Sequence, residues 1–126
     1  MSKVLIDTSI IIDYLRQKDK KKTTLFQLVQ KNDELFASIL THAESYAGKS
    51  IWERKDAQEA LEILFSNITI LPLEENLSKN AGKISARNNV DIVDAIIAAT
   101  AISHNLPLIT LNIKDFEKID GIKLFK

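Results

Sequence analysis

Short apolar runs alternate with stretches of helical periodicity from one end of the chain to the other. A short apolar run rich in β-branched residues and bounded by polar positions is typical of a strand buried on both faces. Such runs predict strands over residues 3–6, 35–40, 68–71 and 108–111, with a short fifth over 122–125. Because the strands alternate with helices, the pattern predicts an α/β fold with a mainly parallel sheet of about five strands.

The segments between the strands place apolar residues three and four positions apart, which is the spacing of a helix with one buried face. This periodicity predicts helices over residues 9–16, 23–30, 56–65, 77–87 and 91–104. Thr41 and Glu44 have the T-x-x-E spacing of a capping box, which predicts a further helix beginning at Thr41. The helix over 91–104 has the strongest pattern, and Asn105 and Pro107 close it.

Length and composition predict one ordinary globular domain over residues 1–126. The chain has no cysteine, which excludes disulfide scaffolds and thiolate metal sites. With 17 basic and 17 acidic residues it is neutral overall, so it does not coat nucleic acid by charge alone. The lysine-rich run at 18–22 has the usual composition of a solvated loop. We expect no membrane segment and a cytoplasmic location, because no apolar run approaches about 18 residues.

Polar side chains follow the ends of three predicted strands. Asp7 closes the first strand, Glu44 lies just past the second, and Asn112 and Asp115 follow the fourth. Ligands of open parallel sheets bind beyond the carboxyl ends of the strands, so these residues mark a candidate site. Structural explanations stay open, since Asp7 could cap the next helix and Glu44 could be the second half of the capping box.

Two further acids, Asp91 and Asp94, open the strongest helix. Asp91 is well explained as an N-cap or first-turn acid that complements the helix dipole. Asp94 is harder to explain structurally, because the residues that follow it are apolar almost all round the helix, and such helices are buried. A carboxylate there is costly unless a cation meets it. Mg²⁺ and Mn²⁺ prefer carboxylate and water oxygens, so Asp94 is a candidate metal ligand.

Other catalytic chemistries have little support in the sequence. The two histidines, His42 and His104, lack metal-ligand spacing, and the three glycines form no phosphate-cradling loop. Trp52 and Tyr46 are better explained by packing or by an interface than by stacking on bases. The catalytic chemistry that remains is that of a divalent metal ion held on carboxylates.

Three segments taken together resemble the PIN-domain family, and within it the VapC-type toxins of prokaryotic toxin–antitoxin pairs. In chain order they are VLIDTSIIIDYL, SILTHAESYAG and DIVDAIIAATAISHNLPLITLNIKDFEKIDGIKLF. The resemblance implies a three-layer α/β/α sandwich with an acidic pocket formed by Asp7, Glu44, Asp94 and Asp115. The family can carry an acid at the position of Asn112 or at that of Asp115; here Asp115 is taken as the fourth acid and Asn112 as a polar support. Thr8 or Ser9, together with Thr110, resembles the family's pocket hydroxyls, and Asp91 completes the polar surroundings.

The resemblance also implies a function: hydrolysis of RNA phosphodiester bonds by one or two Mg²⁺ or Mn²⁺ ions held on the carboxylates. It further implies a homodimer and a VapB-like protein antitoxin that covers a groove of the nuclease. Basic neighbours would contact the RNA backbone, and the available ones are the run at 18–22, Lys49, Arg54, Lys55 and Arg87.

Two other functions remain open from the sequence. A PIN-like chain could bind RNA or a protein without cutting anything. A receiver-type phosphoacceptor domain is also a small α/β protein with acids around Mg²⁺, but it needs an Asp at the end of the third strand. Here that strand ends in Leu71-Pro72-Leu73, which contradicts the pattern.

Overall fold

The computed structural model describes residues 2–125. Its strands are β1 (Lys3–Ile6), β2 (Glu34–Ser38), β3 (Thr69–Leu71) and β4 (Leu108–Ile109). Its helices are α1 (Thr8–Arg16), α2 (Thr24–Gln30), α3 (Ile39–Ser45), α4 (Lys49–Glu53), α5 (Lys55–Ser66), α6 (Glu75–Asn88), α7 (Ile92–Ser103) and α8 (Ile113–Phe116). None of the helices in this part of the chain is long and apolar enough to span a membrane.

The four strands form one parallel sheet in the order β3-β2-β1-β4. The chain adds β2 and then β3 on one side of β1, and afterwards returns to place β4 on the other side. Ile6, the last residue of β1, pairs with Ala37 on one side and Ile109 on the other. The crevice beyond the carboxyl ends of β1 and β4 is therefore a topological switch point, where open α/β sheets bind ligands.

Each face of the sheet has its own hydrophobic core. Val4 and Ile6 pack with residues of α1, α2 and α5, whereas Leu5 packs with residues of α6, α7 and α8. This alternation follows from the two-residue period of a strand, and all three side chains are fully buried. The sheet is thus the middle layer between two helical layers, which confirms the predicted α/β/α sandwich.

The prediction that a capping box at Thr41 begins a helix is wrong. Helix α3 begins at Ile39, and its N-cap is Ser38, whose hydroxyl oxygen accepts a 3.1 Å hydrogen bond from Leu40 N–H. Serine satisfies a free helix N–H well, so the predicted second strand ends two residues early and the helix follows it directly. Thr41 and Glu44 lie inside the helix, where they are free for other roles.

The predicted fifth strand is reduced to a single parallel bridge between Leu124 and Leu108. The fourth strand is also shorter than predicted, because β4 ends at Ile109. After that residue the Leu111 N–H donates to the Ser9 hydroxyl at 3.0 Å. This contact turns the chain toward the carboxyl end of β1, so β4 ends at Ile109.

The remaining predicted helices are present with ends shifted by about two residues or fewer, which is the usual uncertainty of helix ends. Asn89 and Asn105 adopt the left-handed conformation, with φ of 52° each, at the ends of α6 and α7. Asparagine tolerates this conformation better than most residues, so both helices end where the sequence indicated. The pattern missed α4, which has only five residues.

The lysine-rich run forms a 3₁₀ turn over Lys20–Lys22. The Lys20 ammonium donates to the carbonyl oxygens of Tyr14 and, at 3.1 Å, Leu15, in the last turn of α1. It also lies 4.9 Å from the centre of the Tyr14 ring. A cation at a helix C-terminus satisfies free carbonyls and complements the dipole, so Lys20 has a structural role.

We expect Lys20→Met to lower the free energy of unfolding by about 1 kcal/mol, because the carbonyls at the end of α1 lose a charged donor. Urea denaturation measures this change. The matched control is Lys22→Met, since the Lys22 side chain is exposed and has no hydrogen-bond partner within residues 2–125. Equal stability of the two variants would contradict the capping role.

Candidate active site

Asp7 lies at the carboxyl end of β1 and is the N-cap of α1. Its Oδ1 accepts hydrogen bonds from Ser9 N–H at 3.1 Å and from the Ser9 hydroxyl at 2.5 Å. Its Oδ2 accepts a 2.6 Å bond from the Thr110 hydroxyl, which follows β4. Asp7 can therefore cap α1 and also belong to the predicted pocket, because its two oxygens have different partners.

Only 3% of the Asp7 surface is exposed. Burial raises the pKa of this carboxyl above its ordinary value, although the hydrogen bonds from Ser9 and Thr110 oppose the shift. Desolvation is the larger effect. Within residues 2–125 no basic side chain forms an ion pair with this carboxylate, and a bound cation would supply the missing counter-charge.

The loop after β4 is fixed by the same hydroxyl groups. Thr110 Oγ1 accepts a 2.9 Å bond from Asn112 N–H, and Asp115 N–H donates at 3.0 Å to the Asn112 carbonyl. Asn112 makes no side-chain cap for α8, so its observed contribution is through its backbone. Asp115 lies in the first turn of α8 with an exposed side chain.

Glu44 lies on the exposed side of α3. Its Oε1 accepts a 2.5 Å hydrogen bond from the hydroxyl of Thr8, the first residue of α1. Capping does not explain Glu44, because α3 begins five residues before it. The bond links α3 to the residue that directly follows Asp7.

Asp94 lies in the first turn of α7, after its N-cap Asp91, whose Oδ2 accepts a 3.3 Å bond from Val93 N–H. The capping interpretation of Asp91 is confirmed by this bond. The pKa of Asp94 is raised to about 6, first by burial and then by the neighbouring negative charges. In decreasing order, those charges belong to Asp115, Asp91, Asp7 and Glu44. Four other carboxylates therefore lie close enough to Asp94 to disfavour its ionisation.

The kind of donor at this site fits a hard divalent cation. Within residues 2–125 no three His, Cys, Asp or Glu side chains stand close enough together to hold an ion directly. Carboxylates repel one another when no cation lies between them. Two of them accept hydrogen bonds from threonine hydroxyls instead, Asp7 from Thr110 and Glu44 from Thr8. Mg²⁺ commonly binds one or two carboxylates and retains several waters, so a closed cage of protein ligands is not required.

The sequence pattern did not place Thr41 beside the candidate site. This residue is fully buried, and its Oγ1 lies 3.2 Å from Thr8 Oγ1. The signal is in the sequence, because Thr41 and Glu44 are three positions apart and share a face of α3. The same T-x-x-E spacing also fits a capping box.

A groove of about 1020 Å³ lies between the helices of one layer. Its wall includes Glu44, so the groove reaches one side chain of the acidic pocket. Most of the remaining wall is apolar, with Val29 54% exposed and Ile63 66% exposed. The groove also carries side chains of both signs, the basic ones being Arg16, Lys20 and Arg54 and the further acidic ones Asp33 and Asp56.

Of the basic residues named from the sequence, Lys20 and Arg54 line this groove. Arg54 forms a 2.8 Å ion pair with Asp56, and both side chains are exposed. Arg87 lines a separate cleft of about 320 Å³ together with Ile102 and Ser103, near the C-terminal end of α7. The structure therefore does not gather all of the basic candidates at the acidic pocket.

The structure places acidic side chains at the switch point of a parallel four-stranded sheet, as expected for a PIN domain. A comparison with protein families agrees. The PIN domain family model matches residues 4–122. The chain belongs to the PIN-domain family. Because the chain is a PIN domain, the alternative of a receiver-type phosphoacceptor domain is excluded.

Curated relatives match over nearly the whole chain. Ribonuclease VapC19 of Mycobacterium tuberculosis is 33% identical over 117 residues, covering 89% of this chain and 90% of the relative. Ribonuclease VapC1 of Methanocaldococcus jannaschii is 34% identical over 131 residues, covering 98% and 88%.

Solved structures have the same fold. A toxin–antitoxin complex from Klebsiella pneumoniae superposes with a TM-score of 0.77 at 27% identity, covering 94% of each chain. VapBC-1 from nontypeable Haemophilus influenzae gives a TM-score of 0.77 at 26% identity, covering 100% of this chain and 98% of that one.

We expect Asp94→Asn to stabilise the protein at pH 7.5 when EDTA removes metal ions. The folded-state pKa of Asp94, about 6, lies above the ordinary value of 3.8, so ionisation penalises the folded state as pH rises through that window. Asparagine cannot ionise. The expected gain is about 1 kcal/mol, since solvent screens a partly exposed carboxyl and the helix dipole partly offsets the repulsion.

Denaturant titrations at pH 4 and 7.5 test this expectation, and the difference between wild type and variant should grow with pH. Asp120→Asn is the control, because Asp120 is exposed and lies near the C-terminal end of α7. A variant no more stable than wild type at pH 7.5 would contradict the electrostatic crowding of Asp94.

Proposed function

We propose that this chain, as one PIN domain over residues 1–126, is a metal-dependent endoribonuclease and the toxin of a VapBC-type toxin–antitoxin pair. The observation that carries the proposal is the arrangement of acids at the switch point of the sheet: Asp7 is buried at the end of β1, Glu44 accepts a bond from Thr8, and the pKa of Asp94 is raised. The names of the curated relatives support ribonuclease activity.

Asp7 and Asp94 are the main proposed ligands of Mg²⁺ or Mn²⁺. The Oδ2 atom of Asp7 accepts one hydrogen bond and so keeps a lone pair for an ion. Glu44 and Asp115 would bind directly or through water. When bound, the ion would lower the pKa of a coordinated water and neutralise charge developing on the phosphate oxygens.

The chain's own residues supply the geometry for this chemistry. Ser9 and Thr110 hold the Asp7 carboxylate in one orientation, and Asp91 caps the helix that carries Asp94. Such fixed positions matter because a catalytic group displaced by about 1 Å can lose about a hundredfold in rate.

We expect wild-type protein to cleave RNA in Mn²⁺ or Mg²⁺, and Asp94→Asn to reduce the rate at least about a hundredfold through loss of a metal ligand. Cleavage of a mixed cellular RNA, with EDTA as a blank, measures this. Asp120→Asn is the matched control and should cleave like wild type.

Equal cleavage by wild type and Asp94→Asn would mean contamination and would remove the catalytic assignment. If neither protein cleaves any RNA tested while both fold, the alternative of a silent PIN-like binding module is favoured.

The proposed protein partner is a VapB-like antitoxin seated in the groove that reaches Glu44. The solved complexes with the same fold include a toxin–antitoxin pair. The groove's apolar wall fits the apolar side of an amphipathic segment. We also propose a homodimer. Exposed Ile39 and Ile92 lie beside the acidic edge, where apolar surface favours association.

We expect Ile63→Asp to weaken binding to the product of the neighbouring reading frame by at least about tenfold, because a charge enters an apolar contact. Pull-down titration measures binding, and RNA cleavage by the free variant should stay unchanged. The control Ile102→Asp alters an exposed isoleucine of the separate cleft. Equal loss in both variants would contradict the groove as the binding surface.

A further inference from the structure

We propose that the cleft between α6 and α7 is a second contact site for RNA, in which Lys83 and Arg87 bind phosphate groups of the strand outside the acidic pocket. The inference rests on the proposed function in taking RNA as the ligand. The cleft has a volume of about 320 Å³ and shares no lining residue with the groove that reaches Glu44. It is therefore a separate site.

The cleft follows the seam of a helical hairpin. Three residues, 89–91, separate α6 from α7, and helices joined by so short a loop pack as antiparallel neighbours. Lys83 and Arg87 line the cleft from α6, and Ala99 and Ser103 line it from α7. Because α7 also carries Asp94, this helix connects the cleft to the acidic pocket.

The cleft lies a few nucleotides from the acidic pocket. Asp94 is in the first turn of α7, whereas Ala99 and Ser103 follow five and nine residues later. At a rise of about 1.5 Å per residue, these positions lie roughly 7 and 14 Å from Asp94 along the helix axis. A stacked strand advances about 3.4 Å per nucleotide, so the separation corresponds to about two to four nucleotides.

Lys83 and Arg87 are free to bind an anion. Both side chains are exposed, and within residues 2–125 neither takes part in an ion pair or a side-chain hydrogen bond. Other basic side chains already have partners, since Arg54 pairs with Asp56 and Lys20 donates to carbonyls of α1. The two charges in the cleft therefore remain available for a ligand.

The spacing of the two cations fits neighbouring phosphates of one strand. Residues four positions apart share a helix face, with Cβ atoms about 6 Å apart. Successive phosphates of a nucleic-acid strand are a similar distance apart. Arg87 can bind a phosphate through two parallel N–H donors, and Lys83 binds one as a point charge. Such contacts position a strand without reading its sequence.

The lining of the cleft supports the binding of a phosphate strand. Ile84 and Ile102 are apolar, and low-dielectric walls focus the field of nearby charges. Asp120 is the one carboxylate of the lining in the described part of the chain, so the two cations leave a net positive charge. Asn80 and Ser103 add neutral donors for phosphate or sugar oxygens.

The proposed nuclease needs attraction for RNA outside its acidic pocket. The carboxylates of the pocket repel the phosphate backbone, and the chain has no net charge to attract it. The groove that reaches Glu44 is the proposed seat of a protein partner. The cleft supplies positive charge that neither the pocket nor the groove requires.

The test measures binding of a fluorescein-labelled single-stranded RNA of about 10 nucleotides by fluorescence anisotropy. EDTA is present, so that no metal-dependent cleavage takes place. We expect Lys83→Gln and Arg87→Gln each to weaken binding by about fivefold at about 50 mM salt, because each removes one exposed charge contact. Each should also reduce the slope of log affinity against log salt by about 0.7, the effect of one lost phosphate contact on a single strand.

Two further variants separate a phosphate contact from a general loss of charge. Lys31→Gln removes an exposed positive charge from the end of α2, in the other helical layer, and should keep the affinity and the salt slope of wild type. Arg87→Lys keeps the charge but loses the paired donors, so it should keep the slope and weaken binding by about twofold. Urea midpoints of all these variants should match wild type, because the replaced side chains are exposed.

Three outcomes of the RNA titration would overturn the proposal: unchanged affinity in both cleft variants, an equal loss in Lys31→Gln, or no RNA binding by the wild type. Cleft variants that lose affinity for the product of the neighbouring reading frame, but not for RNA, would also overturn it, since the cleft would then bind an acidic protein segment. Failure of the nuclease function gives a different result. A wild type that binds RNA through the cleft but cleaves none in Mn²⁺ contradicts that function alone.

Discussion

The burial of one carboxylate, Asp7, between the ends of β1 and β4 is the constraint on which the site depends. Its oxygens accept hydrogen bonds from Ser9 and Thr110, so the two strands that flank the switch point are joined at their carboxyl ends. Because Ser9 also accepts from Leu111 N–H, the same contacts end β4 after two residues. The short fourth strand is therefore a consequence of how the buried acid is satisfied.

The pocket concentrates negative charge that the folded protein does not neutralise by itself. Burial and like charges raise the pKa of Asp94, and the hydroxyl donors on Asp7 only partly offset its desolvation. Such an arrangement costs stability and is retained at functional sites, where an ion or substrate supplies the missing charge. Mg²⁺ or Mn²⁺ is the proposed source here.

Helix α3 connects the pocket to the rest of the molecule. It carries Glu44, which both accepts the bond from Thr8 and forms part of the groove wall. A partner seated in the groove would therefore meet a residue of the acidic pocket, which gives inhibition a direct physical route. Thr41 lies fully buried on the same helix, where its hydroxyl accepts a 3.2 Å hydrogen bond from Thr8.

The sequence by itself determined the α/β class, most of the helices, and the placement of acids at strand ends, because these follow from local periodicity and from position along the chain. It also indicated Asp94, since a charge opening an apolar helix is visible without a structure. Only the tertiary structure decided the contact between Thr41 and Thr8 and the start of α3. The T-x-x-E spacing fits a helix cap and a shared helix face equally well, and the choice depended on Ser38 capping the helix and on Thr8 lying across from Thr41.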